Sequence, residues 1–465
     1  MRSTDGSATG HEPRTMPNLR FPSLLVGSLL VAACATPSPV VTSDDLSSAE
    51  QDAPGQTILP PSDGFVPLPA PPPPIDRGRE LLVTDRAVLS GSRSDNANAL
   101  APWSFRHAME SLAAASSADA PAFVKSWLAT WQASSTAASE GSLPLGARPD
   151  VQKDLVCPWL RLTPENGCDA TCAQCVSSKL DLSRAPFRLL AIVNRLDLAE
   201  TTKGCKPEAS EARLLFVALR PGTTTPLSFN AIFEYAVDGT AAGAPESWHA
   251  LAALPGDAEY AAALETLTRT FTDSARLGQL RTSENLAGTS WELRQFAHVG
   301  GMLVPTALTN TVTDAFDGTT ELATHLSTHQ SEIFAGDNAV PANVATAFST
   351  MPKADFRWSS ATADPSTLHL FGLSTCNGCH AGERGDTSVL PFSHVGVDAS
   401  GATIVSRFLS DPSSPNGDEL AFRGRSLARR LTGQCGSSEA SYGGRNGGGG
   451  GGLEVTPDRA ARRVH

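Results

Sequence analysis

The stretch Cys376-Asn377-Gly378-Cys379-His380 carries the most specific chemistry in this chain. Two thiols at this spacing can add across the two vinyl groups of one haem, and the adjacent histidine then reaches the iron. The cofactor expected is one covalent haem c, bonded to Cys376 and Cys379, with His380 as a metal ligand. The competing reading is a Cys376–Cys379 disulfide followed by an unrelated histidine. For the second axial position the sequence offers His394, in Pro391-Phe-Ser-His-Val395, with Met351 and His369 upstream. No methionine follows Met351, so His394 is the preferred second metal ligand. A histidine there would give a lower reduction potential than a methionine. An open position would instead permit ligand or peroxide chemistry, so a haem redox enzyme stays in play.

Export is the condition for such chemistry, because haem c is attached outside the cytoplasm. The N-terminal region meets it. Arg14 and Arg20 precede Phe21 to Ala33, an uncharged apolar run that ends in Val31-Ala32-Ala33-Cys34. A basic start, a short apolar core and small residues before a cut make a signal peptide, residues 1–33. The run falls short of the roughly 20 apolar residues that span a bilayer. Met16 offers an alternative start that keeps Arg20. Val31 to Cys34 resembles the lipobox of bacterial lipoproteins, with Val31 where leucine is usual. That resemblance implies lipidation of Cys34 and a membrane partner reached through the lipid. Ala35 rather than aspartate follows Cys34, which by resemblance to one sorting rule implies the outer rather than the inner membrane of the cell envelope.

Beyond Cys34, Cys376 and Cys379, the remaining cysteines are Cys157, Cys168, Cys172, Cys175, Cys205 and Cys435. An even number in an oxidising compartment suggests disulfides, with about 15 pairings open. They would staple the 157–205 region to itself and bring the Cys435 segment back to the body. Cys168, Cys172 and Cys175 lie close enough in sequence to hold zinc or an iron–sulfur cluster instead.

These sites need a scaffold. Residues 34–77 are rich in Pro, Ser and Thr, with Pro69-Ala-Pro-Pro-Pro-Pro74 favouring extended polyproline geometry, and read as a disordered stalk. Residues 436–465, with their glycine run and basic tip, read as a flexible tail. The body splits into 78–340 and a haem-bearing segment 341–435 packed on it. The net charge of -12 argues against nucleic acid as a partner. No G-x-S-x-G elbow, P-loop or dinucleotide fingerprint marks a hydrolase, kinase or dehydrogenase.

The fold class expected is α+β: an antiparallel sheet with flanking helices, then a mainly helical or irregular C-terminal segment with the CxxCH. Apolar periodicity predicts helices over 103–115, 121–133, 248–254, 259–271 and 319–334. Val-, Ile-, Leu- and Phe-rich runs predict strands over 187–194, 213–219, 229–236, 291–299 and 302–306. Pro221-Gly222 turns the second strand into the third, which favours an antiparallel meander. Asn194, Arg195 and Asp197 end the first strand, where polar residues often serve function, and a structural Arg–carboxylate pair with Glu211 or Glu234 is the preferred reading. His325 and His329 share a helix face without a zincin glutamate.

Around residues 374–382 the chain resembles c-type cytochromes, with Gly378 and Ala381-Gly382 like the small residues beside such haems. That resemblance implies electron transfer to a redox protein partner. Ile192 to Leu198, Glu211 to Phe216, Ile232 to Tyr235 and Ser374 to His380 together resemble a group of uncharacterised bacterial lipoproteins with a C-terminal CxxCH. This implies a shared architecture and no particular activity. A disulfide-stapled envelope lipoprotein that binds or builds, without haem, is the alternative.

Overall fold

The computed structural model describes residues 73–134, 145–201, 204–205, 210–237, 243–273, 276–288, 291–306, 308, 312–334, 348–350, 356–379, 394–398, 400–410 and 419–433. The signal peptide with Cys34, most of the stalk, His380, Cys435 and the tail lie outside the described residues.

The fold is α+β, built on one antiparallel sheet that is eight-stranded among the described residues. In chain order its strands are β1 (Leu82–Val83), β2 (Phe187–Arg195), β3 (Glu211–Leu219), β4 (Pro226–Ala236) and β5 (Leu277–Glu284). β6 (Glu292–Val299), β7 (Met302–Thr306) and β8 (Phe348–Thr350) complete it. The spatial order is β1-β2-β3-β4-β5-β6-β8, with β7 also on β6, so β2 to β6 form the expected meander. Gly222, Gly300 and Gly301 have positive φ at the β3–β4 and β6–β7 turns, a backbone region that side chains resist.

Alternation along these strands gives the sheet two different faces. The inner face carries Phe187, Phe216, Phe229, Phe233 and Phe296 into the main core. Two helices cover it: α1 (Phe105–Ala114), capped by the Ser104 hydroxyl, and α2 (Ala120–Ala129), capped by Asp119. Phe105 of α1 stacks on Phe187 at 4.0 Å between ring centroids and meets Phe216 edge-on at 5.9 Å. Trp127, Trp131 and Trp159 close the layer, all fully buried. Helices α3 (Ala244–Ala252) and α4 (Asp257–Thr272) flank it, and Thr268 of α4 accepts the Trp103 indole N–H at 2.7 Å.

A second apolar cluster stands apart from this core. It joins Val312 and Phe316, Leu322 and Leu326 of α5 (Thr320–Thr328), and Ile333 of α6 (Gln330–Phe334). Trp358 and Leu370, Phe371 and Leu373 of α7 (Pro365–Leu373) complete it. Residues on both sides of 341 therefore build one cluster. The predicted 319–334 helix breaks at His329, which leaves the helical region as the C-cap of α5. A hairpin of β9 (Val395–Val397) and β10 (Thr403–Val405) and the helix α9 (Glu419–Leu431) return to the main core. Among the described residues no helix is long and apolar enough to cross a membrane.

Candidate functional site

Helix α7 starts at Pro365, whose missing N–H costs nothing in a first turn, and Asp364 caps it by accepting the Thr367 N–H at 2.8 Å. Ser374 ends it, and a short helix, α8 (Cys376–Cys379), follows at once. Thr375 ties the junction together. Its hydroxyl donates to the Gly372 carbonyl and accepts the Trp358 indole N–H, both at 2.9 Å. Asn377 donates to the Val312 carbonyl at 3.1 Å and to the Asp314 carboxylate.

Gly378 is required here by packing. A Cβ at this position would lie 2.3 Å from the Gly372 carbonyl oxygen. The close approach of α7 is by itself sufficient reason for a glycine inside the motif.

Residues three apart on a helix share a face, so α8 turns positions 376 and 379 to one side, as two bonds to one macrocycle require. Cys376 is buried in a small cluster with Leu308, against which Leu293 of β6 packs. The side chain of Cys379 and all of His380 lie outside the described residues. Of the motif's donors, Cys376 is the one whose surroundings are described, and they are apolar.

His394 is placed elsewhere. Its Nδ1 is 2.9 Å from the Ser406 hydroxyl, and its ring packs on Phe408 at 5.0 Å. The hairpin beside it is held to β2, where Arg188 donates to the Gly401 carbonyl at 2.9 Å. Strand register runs from Arg188 through Val217, Asn230 and Ser283 to Leu293, which packs against the Leu308–Cys376 cluster. Four strand spacings separate the two ends of that row, roughly 19 Å. The structure does not bring the preferred sixth ligand to the motif. A histidine that shares the cluster of α7 is His325, buried, with its ring 5.9 Å from Phe371 and 4.7 Å from His329. His369 lies half-buried on α7 itself.

The cysteine-rich segment forms two disulfides, Cys157–Cys172 and Cys168–Cys175. The sulfurs of Cys168, Cys172 and Cys175 lie within 4.8 Å of one another. Bonded as disulfides, they offer no thiolate to zinc or iron. Cys205 is on a short strand, Gly204–Cys205, with its side chain outside the described residues.

At the end of β2 the Arg–carboxylate reading holds with a change of partners. Arg195 binds Asp197 through two nitrogens at 3.0 and 3.1 Å. Glu211 and Glu234 are instead held by Arg213, at 2.9 and 3.3 Å. Glu419 and Arg423 of α9 form a further buried pair at 3.0 Å. Burial alone would raise the Asp197 carboxyl, but Arg195 and Arg423 outweigh it and hold its pKa below the ordinary range. Burial and the neighbouring Arg195 pull Arg423 down to about 10. Nothing in this network leaves a reactive group facing a cleft, so its role is structural. An open cleft of about 370 Å³, lined by Ser94, Asp95, Arg184 and Arg188, also lies at the β2 side, away from the motif.

No family model matches the chain, and neither a curated protein nor a solved structure is significantly similar to it.

Proposed function

We propose that this chain is an exported lipoprotein, lipid-anchored in the cell envelope through Cys34, that carries one covalent haem c near its C-terminus and transfers electrons. The observation that carries the reading is the intact Cys376-to-His380 motif starting on a helix. Each thiol would add its sulfur to one vinyl carbon and its hydrogen to the other, so attachment consumes no oxidant. Bound there, the haem supplies one-electron exchange at iron. Cys376 and Cys379 fix the macrocycle to α8, and His380 binds the iron. Thr375 and the close packing of Gly378 hold α8 against α7, and Asn377 ties it to Val312 and Asp314, so the chain itself would position the motif's donors.

The body would present this group to a redox protein partner. The Cys157–Cys172 and Cys168–Cys175 disulfides agree with an oxidising compartment. They also favour the second reading, an envelope lipoprotein that binds or builds and holds no haem.

His380→Ala separates the two. In the haem protein it should cripple haem retention and leave any residual iron high-spin. An optical spectrum that His380→Ala leaves unchanged would favour the second reading.

A further inference from the structure

The cysteine-rich loop brings together reactive side chains that neither functional reading uses. Cys157 opens a short helix, Cys157–Arg161, and Cys168, Cys172 and Cys175 follow on one loop. The last three stand at the short spacings of thiolate zinc sites. Two bridges that only staple a loop have no reason to meet. Here they do: the sulfurs of Cys168, Cys172 and Cys175 lie within 4.8 Å of one another, and Cys157, bonded to Cys172, adds a fourth. In a tetrahedral site with zinc–sulfur bonds of about 2.3 Å, the sulfurs stand about 3.8 Å apart. The cluster is already close to that spacing.

The loop also closes without its sulfurs. Asn166, fully buried, donates to the carbonyls of Leu160 at 2.9 Å and Lys179 at 3.0 Å. Its own carbonyl accepts the N–H groups of Val176 at 2.8 Å and Ser177 at 3.1 Å. Inside this clasp the Asp169 carboxylate accepts the N–H of Thr171 at 3.1 Å and of Ala173 at 3.0 Å. The helix with Cys157 is anchored by Trp159, which is buried in the main core and donates to the Asp181 carbonyl at 3.0 Å. These bonds hold the four sulfurs on one framework when the bridges open. Cys168, Cys172 and Cys175 are half-buried, within reach of a reductant and a metal ion.

We infer that this loop is a redox-gated zinc site: two disulfides when oxidised, and one Zn(II) held by the thiolates of Cys157, Cys168, Cys172 and Cys175 when reduced. The reductant is a dithiol. One of its thiolates attacks a bridge sulfur and its second displaces the first, so the dithiol leaves as its own disulfide. Each bridge gains two electrons and two protons, giving two thiols. Zn(II) then displaces the four thiol protons. Four protein thiolates complete a closed, tetrahedral site, so the metal is structural and holds no substrate. In an oxidising compartment the bridges persist, and zinc enters only where a dithiol partner opens them. None of this depends on the haem reading.

The test uses the mature chain. It is reduced under argon with excess dithiol, freed of the dithiol by gel filtration, and given zinc sulfate or, as a spectroscopic probe, cobalt chloride. The reduced chain should hold one zinc through these cysteines, and cobalt should give thiolate charge-transfer absorption. Zinc should protect Cys157, Cys168, Cys172 and Cys175 from alkylation, read by peptide mass. The oxidised chain should hold none. Cys168→Ser and Cys172→Ser should lose the zinc, and Cys376→Ser should keep it. The near-ultraviolet signal of the core tryptophans shows whether each reduced protein stays folded. Reduced wild type without zinc at the loop, folded or not, would overturn the site, because the site needs the loop to stay closed when its bridges open. Zinc retained by both loop variants, or iron with sulfide in its place, would overturn it too.

Discussion

Cys376 clusters with Leu308 against Leu293, and Leu293 stands opposite Ser283 in the sheet register. The motif is therefore seated on the polar side of the sheet, remote from the aromatic core.

Gly378→Ala should damage the motif without unfolding the body. The new Cβ would meet the Gly372 carbonyl oxygen at 2.3 Å, and backbone rather than a flexible side chain would have to yield. Overpacking of this kind costs about 1–3 kcal/mol. Haem content should fall, while the near-ultraviolet signal of Trp127, Trp131 and Trp159 in the main core stays. Equal haem content in Gly378→Ala and wild type would refute the packing argument.

Asp197→Ala should destabilise the body by about 3–5 kcal/mol, because it leaves Arg195 buried without its carboxylate. Acid should act through the same group. The folded pKa of Asp197 lies below its unfolded value, so its stabilisation is complete above the unfolded value, near ~3.9. It is lost as pH falls from there through the depressed folded value. Thermal melts between neutral pH and about 3 should show a shallower acid loss in Asp197→Asn than in wild type. Parallel curves would show that this pair does not set the acid limit.

Much of this framework is legible in the sequence, and the reason is period. Phe187 to Arg195 and Phe229 to Ala236 announce themselves as strands by their apolar content. β5 does not, because Leu277 to Glu284 alternates with Gln279, Arg281 and Ser283, which read as solvent-facing. In the structure Arg281 and Ser283 face outward from the aromatic core and are still buried, while Gln279 is half-buried. Local sequence cannot report that a second layer will cover them. The same blindness affects the sixth ligand. Proximity in sequence favours His394, but the chain between it and Cys376 carries it to the far side of the meander, against Ser406 and Phe408. A structural arginine–carboxylate pair at the end of β2 is legible from polar residues closing an apolar strand; that the carboxylate is Asp197, with Arg423 close by, is not.

The cysteine-rich loop should yield two linked peptide pairs on non-reducing digestion, Cys157 with Cys172 and Cys168 with Cys175. The Cys157–Cys172 bridge closes a loop of 15 residues in sequence separation, and removing it should cost about 3 kcal/mol. Stoichiometric zinc in protein purified without reductant would contradict both bridges.

Cys34→Ser should release the protein from membranes or stall removal of its signal peptide. Fractionation and the mature mass read this directly. A normal mature mass with unchanged membrane association would remove the lipid anchor.

The central claim is a covalent haem on Cys376 and Cys379, and intact mass of the mature protein made with a working cytochrome c maturation system tests it most directly. The expected result is the polypeptide with its lipid plus one haem, accompanied by Soret absorbance and a haem c pyridine haemochrome spectrum. A mass equal to the lipidated polypeptide alone, with no Soret band, would contradict it and leave Cys376 and Cys379 as a disulfide in a haem-free envelope protein.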